Sequence, residues 1–97
     1  MDLELAGKKA IVTGGSRGIG KQIARVLAQE GVDVAIAARD PERLDATAAE
    51  LVAETGRTIV PVTVDTSDDE SVKLMVEKAA DALGGVDILI NGAATVG

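Results

Sequence analysis

The chain alternates short apolar runs with stretches that repeat apolar residues every three or four positions, the two periods that separate a buried strand from an amphipathic helix. Lys9-Ala10-Ile11-Val12-Thr13, ended by Gly14-Gly15, predicts a strand covered on both faces. Ile19, Ile23, Val26 and Leu27 fall at i, i+4, i+7 and i+8, with Lys21, Gln22, Arg25 and Gln29 opposite. This predicts a helix whose apolar stripe those four residues form, closed at Gly31. A second apolar strand runs from Val32 to Ala38. Asp40-Pro41 then supplies an N-cap acceptor and a first-turn proline, and Leu44, Ala48, Leu51 and Val52 stripe the next helix up to Gly56. Thr58 to Val64 is β-branched and extended, but Pro61 cannot donate to a ladder, so this strand belongs at a sheet edge. Ser67 with Glu70 reads as a capping box for a helix carrying Val72, Met75, Val76, Ala79 and Leu83, with Met75 a core filler, and Gly84-Gly85 ends it. Ile88-Leu89-Ile90, within Asp87 to Asn91, is a fourth strand.

Strand and helix alternate without internal repeats, low-complexity tracts or a Pro/Ser-rich linker, giving one β-α-β-α-β-α-β unit. Right-handed crossovers make its sheet parallel with helices on both faces, and the edge position of the third strand gives the doubly wound order 3-2-1-4. At 97 residues and 9.8 kDa the chain is one domain. With 46% apolar and 27% charged residues it is globular rather than disordered.

Phe, Tyr, Trp, His and Cys are all absent. That excludes Ser-His-Asp and Cys-His catalysis, thiolate or imidazole metal sites, disulfides, tyrosine acid–base chemistry and aromatic stacking platforms within this span. The net charge of −6 opposes nucleic acid and anionic membrane surfaces as partners. It is unevenly spread: residues 1–45 hold seven basic and seven acidic side chains, the rest three and nine. The cations thus gather in the half that contains the Gly-rich turn. Met1-Asp2-Leu3-Glu4-Leu5 has neither the basic nor the apolar region of a signal peptide, and no apolar stretch approaches about 20 residues. The expectation is a soluble, cytoplasmic protein.

Thr13-Gly14-Gly15-Ser16-Arg17-Gly18-Ile19-Gly20 joins the first strand to the first helix. Glycines there allow a sharp turn and close approach of a ligand, and the unpaired N–H groups of a helix start favour phosphate. Three glycines alone also suit a strand-to-helix turn that binds nothing. The whole octet in its context resembles the motif T-G-x-x-x-G-x-G of the short-chain dehydrogenase/reductase family. Asp65, after the third strand, is similar to that family's adenine-binding acid, against its plainer reading as a solvated acid or a cap for the helix at Ser67. Asp87-Ile88-Leu89-Ile90-Asn91-Gly92-Ala93-Ala94 resembles the D-x-L-V-N-N-A-G segment, with Gly92 in place of the second Asn and Ala94 in place of the Gly. Asn91 is either a brace within the sheet or a direct cofactor contact.

The resemblance implies a Rossmann-type dinucleotide-binding unit over residues 1–97, with Thr13, Gly14, Ser16, Arg17, Gly18, Ile19, Gly20, Arg39, Asp65, Asn91 and Ala93 lining the cofactor. An NAD-specific site carries a carboxylate after the second strand, and an arginine there suits the 2′-phosphate of NADP. In family register that acid falls on Ala38, followed by Arg39, and Arg17 lies in the loop. Two guanidinium groups flanking one phosphate favour NADP(H), with NAD(H) the lesser option. Asp40 is the residue that argues for NAD, but its place before Pro41 makes it an N-cap.

The family's catalytic Ser, its Tyr-x-x-x-Lys pair and a further Asn lie beyond the N-N-A-G segment. The implied function is therefore that of an NADP(H)-dependent oxidoreductase acting on an alcohol or carbonyl compound, represented by the N-terminal cofactor-binding part of a longer, homo-oligomeric reductase (tetramer or dimer). No catalytic residue and no metal site is expected in this part, which alone should be inactive. The alternative is a non-catalytic nucleotide-binding or association module.

Overall fold

The computed structural model of the chain describes residues 5–14 and 18–91. The elements follow as β1 (Lys9–Thr13), α1 (Gly18–Gln29), β2 (Asp33–Ala38), α2 (Pro41–Thr55), β3 (Ile59–Thr63), α3 (Asp69–Leu83) and β4 (Ile88–Asn91). All strand pairs are parallel and the sheet order is β3-β2-β1-β4, as the sequence predicts. Pro61 sits opposite Ile36 on β3, which pairs only with β2, so its missing N–H falls on the free edge. Among the described residues no helix is long and apolar enough to cross a membrane.

Both faces of β1 and β2 are covered, which is why they read as continuous apolar runs rather than alternating ones. Ala10, Val12, Val34, Ile36 and Ile59 face Ala24 and Ala28 of α1 and Leu44, Ala48 and Leu51 of α2. Ile11, Ala35, Ala37, Val62 and Val64 face Met75, Ala79 and Leu83 of α3, so Met75 is a core residue.

The apolar stripe expected on α1 is corrected. Ile19 is 72% and Val26 47% exposed, and the buried line is Gly20, Ala24 and Ala28, flanked by half-buried Ile23 and Leu27. The helix meets the sheet through its smallest residues, which a search for large apolar side chains passes over. Val52 and Val76 are likewise exposed at the margins of their stripes.

The helix ends are set locally. Asp40 caps α2, its carboxylate accepting from the Glu42 and Arg43 N–H groups, with Pro41 first in the helix and Gly56 closing it. The cap of α3 is Asp68, whose Oδ1 accepts from the Glu70 N–H at 3.0 Å, and not Ser67. The Ser67 hydroxyl is spent as a donor to Asp65, and the carboxylate beside the helix is the stronger acceptor. After α1 the chain reverses at Gly31, at φ 90°. A Cβ there would stand 3.2 Å from Ala6, so both conformation and space call for glycine.

Candidate functional site

The carboxyl ends of the strands gather the polar groups that the sequence singles out. Between β1 and β4 the chain order reverses, and in open parallel sheets ligands settle in the crevice at such a switch point. Thr13 and Asn91 end these two strands as register partners. The Thr13 hydroxyl donates to Asn91 Oδ1 at 3.1 Å and also lies 3.4 Å from the Ile90 carbonyl oxygen. Thr13 is buried and Asn91 exposed, so the pair closes the sheet while keeping Asn91 at the mouth of the crevice.

The turn out of β1 starts at Gly14, whose N–H donates to the Ala37 carbonyl at 2.7 Å. Gly18 opens α1 at φ 62°, a left-handed conformation that disfavours any side chain, and a Cβ on it would meet nothing within 4 Å. Gly18 is exposed while Gly20 is buried against the fold, so the two glycines serve different needs. Ile19 points its side chain outward between them. Ser16, Arg17 and Ala93 lie outside the described residues. Two ion pairs tie α1 to α2: Lys21 with Glu50, and Arg25 with Glu54 at 2.6 Å.

At the end of β2, Ala38 is half-buried and Arg39 exposed. The Arg39 guanidinium takes part in no hydrogen bond or ion pair among the described residues. Asp40, next to it, caps α2 through Oδ1. Val64 extends the ladder with a bond to the Ala38 carbonyl and delivers Asp65 beside Arg39. Asp65 Oδ1 accepts from the Ser67 hydroxyl at 2.6 Å and from the Ser67 N–H at 3.0 Å. Its own N–H donates to Ser71 Oγ at 2.8 Å. The Ser67 hydroxyl first, then the Ser67 N–H and the charge of Arg39 hold the Asp65 carboxyl below its ordinary value, against the opposing effect of burial. The sequence singles out Asp65 but not Ser67 and Ser71 as its hydrogen-bond partners. The available signal was the Asp-x-Ser spacing, in which a carboxylate bonds the residue two positions on.

Among the described residues no group of three or more acidic side chains could hold a metal ion. The arrangement is a glycine-lined shelf at the strand ends with the Arg39 guanidinium and the Asp65 carboxylate beside it, suited to a ligand that carries both an anionic group and a hydrogen-bond donor.

The short chain dehydrogenase family profile matches residues 8–97. The chain is 41% identical over 99 residues to hydroxysteroid dehydrogenase-like protein 2 of Mus musculus, covering 96% of this chain and 20% of that protein. It is 44% identical over 92 residues to an uncharacterized oxidoreductase of Thermotoga maritima, covering 95% of this chain and 36% of that one. Among solved structures, L-sorbose reductase of Gluconobacter frateurii, complexed with NADPH and L-sorbose, superimposes with a TM-score of 0.93 at 39% identity, over 100% of this chain and 37% of that one. The chain thus spans between a fifth and somewhat over a third of the length of these relatives. With the family profile matched from Lys8 to the last residue, on a parallel sheet of order 3-2-1-4, the chain belongs to the short chain dehydrogenase family.

Proposed function

We propose that this chain forms the NADP(H)-binding part of an oxidoreductase that passes hydride between a nicotinamide and an alcohol or carbonyl substrate. The observation that carries the reading is at the end of β2: the Arg39 guanidinium is exposed and takes part in no hydrogen bond or ion pair among the described residues, while Asp40 beside it turns one carboxylate oxygen to the cap of its own helix. A guanidinium with no hydrogen bond or ion pair among the described residues suits a 2′-phosphate at this position. The L-sorbose reductase that the chain resembles was solved with NADPH, which agrees with this choice.

The shelf fits such a cofactor. Space in front of Gly18, together with its position at the start of α1, admits a pyrophosphate to the helix N–H groups. In this reading Thr13, Gly14, Ser16, Gly18 and Ile19 surround the pyrophosphate, with buried Gly20 letting α1 start close against the sheet beneath it, while Arg17 and Arg39 hold the 2′-phosphate. Asp65 accepts from the adenine amino group, and Asn91 and Ala93 border the nicotinamide side. The nicotinamide supplies or takes the hydride when bound. The chain's own residues bind and orient, since the absence of tyrosine leaves the family's proton donor outside these 97 residues.

Arg39→Ala is expected to weaken NADPH by about 1.5–3 kcal/mol, the scale of a lost charge-assisted hydrogen bond, and to leave NADH unchanged. Titration calorimetry with both cofactors decides it. An equal loss for both would show that Arg39 supports the site without reading the 2′-phosphate. The double variant Ala38→Asp, Arg39→Ala should reverse the preference, because it restores the carboxylate that a ribose hydroxyl requires.

A further inference from the structure

The two oxygens of the Asp65 carboxylate are used unequally. Oδ1 receives both donors of Ser67, the hydroxyl at 2.6 Å and the N–H at 3.0 Å, which fills its lone pairs. Oδ2 accepts no hydrogen bond among the described residues. The backbone of Asp65 is pinned separately by its N–H bond to Ser71 Oγ at 2.8 Å. Ser71 stands in the first turn of α3, a helix anchored under the sheet by Met75, Ala79 and Leu83. The acid is therefore fixed at two points, one on a loop and one on a packed helix. Ordinarily the terminal torsion of an aspartate is broad and twofold, and its two oxygens exchange freely.

We propose that Ser67 and Ser71 are positioning residues for base recognition, holding Asp65 so that Oδ2 alone faces the purine and selects a base with an amino group at its six-position over one with a carbonyl there. The inference rests on the reading of Asp65 as the adenine acceptor. A carboxylate oxygen with no proton attracts an exocyclic N–H and repels a carbonyl oxygen. Fixing which oxygen points outward removes the rotational freedom that binding would otherwise have to arrest.

The arrangement makes an unusual demand on Asp65→Asn. An amide in that place has one acceptor and one donor end, and the two Ser67 donors require its oxygen at the Oδ1 position. The amino group then occupies the place of Oδ2, where it favours a base carbonyl. Adenosine 2′,5′-bisphosphate and inosine 2′,5′-bisphosphate, which differ at that one substituent, are the probes, and titration calorimetry reads the ratio of their affinities.

The parent protein should prefer the adenosine compound by roughly tenfold, the scale of one hydrogen bond. Asp65→Asn should reverse the preference. Adding Ser67→Ala to Asp65→Asn should shrink the reversal, because only the N–H of residue 67 is left to hold the amide oxygen at the Oδ1 position, and Ser67→Thr, which keeps the hydroxyl, should retain it in full. Ser71→Ala should narrow the parent ratio and Ser71→Thr restore it. A general loss of structure would lower both affinities together and leave the ratio alone, and the urea midpoint of each variant records it. A reversal in Asp65→Asn that Ser67→Ala leaves undiminished overturns the positioning role of the Ser67 hydroxyl while keeping Asp65 as the base acceptor. Equal affinities for both probes in the parent and in Asp65→Asn would overturn the reading of Asp65 itself.

Discussion

The two ends of the sheet treat their charged side chains in opposite ways. At the amino ends, read across the sheet from β3 to β4, stand Arg57, Asp33, Lys9 and Asp87, one at or just before each strand, with alternating sign. Lys9 Nζ meets Asp33 Oδ2 at 2.7 Å, Arg57 meets Asp33 Oδ1 at 3.0 Å, and Asp87 Oδ2 accepts from the Lys9 N–H at 2.9 Å. Arg57 also donates to the Gly31 carbonyl, though its Nε is buried with no partner among the described residues. At the carboxyl ends Arg39 has no hydrogen bond or ion pair among the described residues, and Asp65 keeps one oxygen open among them. Charges that answer one another stitch the strands together, and charges that do not are what a ligand can use.

The largest effect that separates the ends is on stability. Asp33 has a side chain only 16% exposed and shared by two cations, so Asp33→Ala leaves Lys9 and Arg57 without their common partner. The loss should be about 2 kcal/mol, below the figure for a fully buried pair because both cations reach solvent. Urea unfolding measures it, and affinity for adenosine 2′,5′-bisphosphate should not move. A fall in affinity equal to the fall in stability would show that the two ends are not independent. Arg39→Ala is the mirror experiment. It should change the urea midpoint by less than about 0.5 kcal/mol while carrying the loss of NADPH affinity given above. A stability loss comparable to that of Asp33→Ala would mean that Arg39 has a structural partner and would erase the contrast.

The carboxyl-end pattern was legible in the sequence and the amino-end pattern was not, for a physical reason. Loop glycines, the strand-end Asn91, Arg39 and Asp65 announce themselves by spacing along the chain. The row Arg57-Asp33-Lys9-Asp87 exists only once the strand order interleaves residues up to 78 positions apart, and no single segment shows it. Pro61, Asp40 and Met75 were readable because each obeys a local rule with one outcome. Ser67 was misread because Asp68 offers the helix a carboxylate at the neighbouring position and Asp65 draws the hydroxyl away. The stripe of α1 was misplaced because Ile19 and Val26 outweigh Gly20 and Ala24 in any apolar count, although close packing against a sheet favours the small side chains.

Acid should sharpen the same comparison by the smallest margin. Lys9, by its hydrogen bond and then its charge, together with Arg57 holds the Asp33 carboxyl below its ordinary value of 3.8 against the cost of burial. A carboxyl whose folded pKa lies below its unfolded one stabilises the protein above the unfolded value, and that contribution disappears as the pH falls through the folded one. The urea midpoint should therefore decline as the pH drops below about 4, and Asp33→Asn, which cannot titrate, should flatten part of that decline. Asp65 is lowered too, chiefly by the Ser67 hydroxyl, so Asp65→Asn should flatten the same limb. Its share should be smaller, because one serine, rather than two cations, supplies most of its shift and solvent competes for the exposed oxygen. Unfolding profiles of the two variants beside the parent, measured from neutral pH downward, give the comparison directly. A larger flattening from Asp65→Asn than from Asp33→Asn would place the stronger electrostatic contribution to the fold at the carboxyl ends and overturn the division of labour between the two ends.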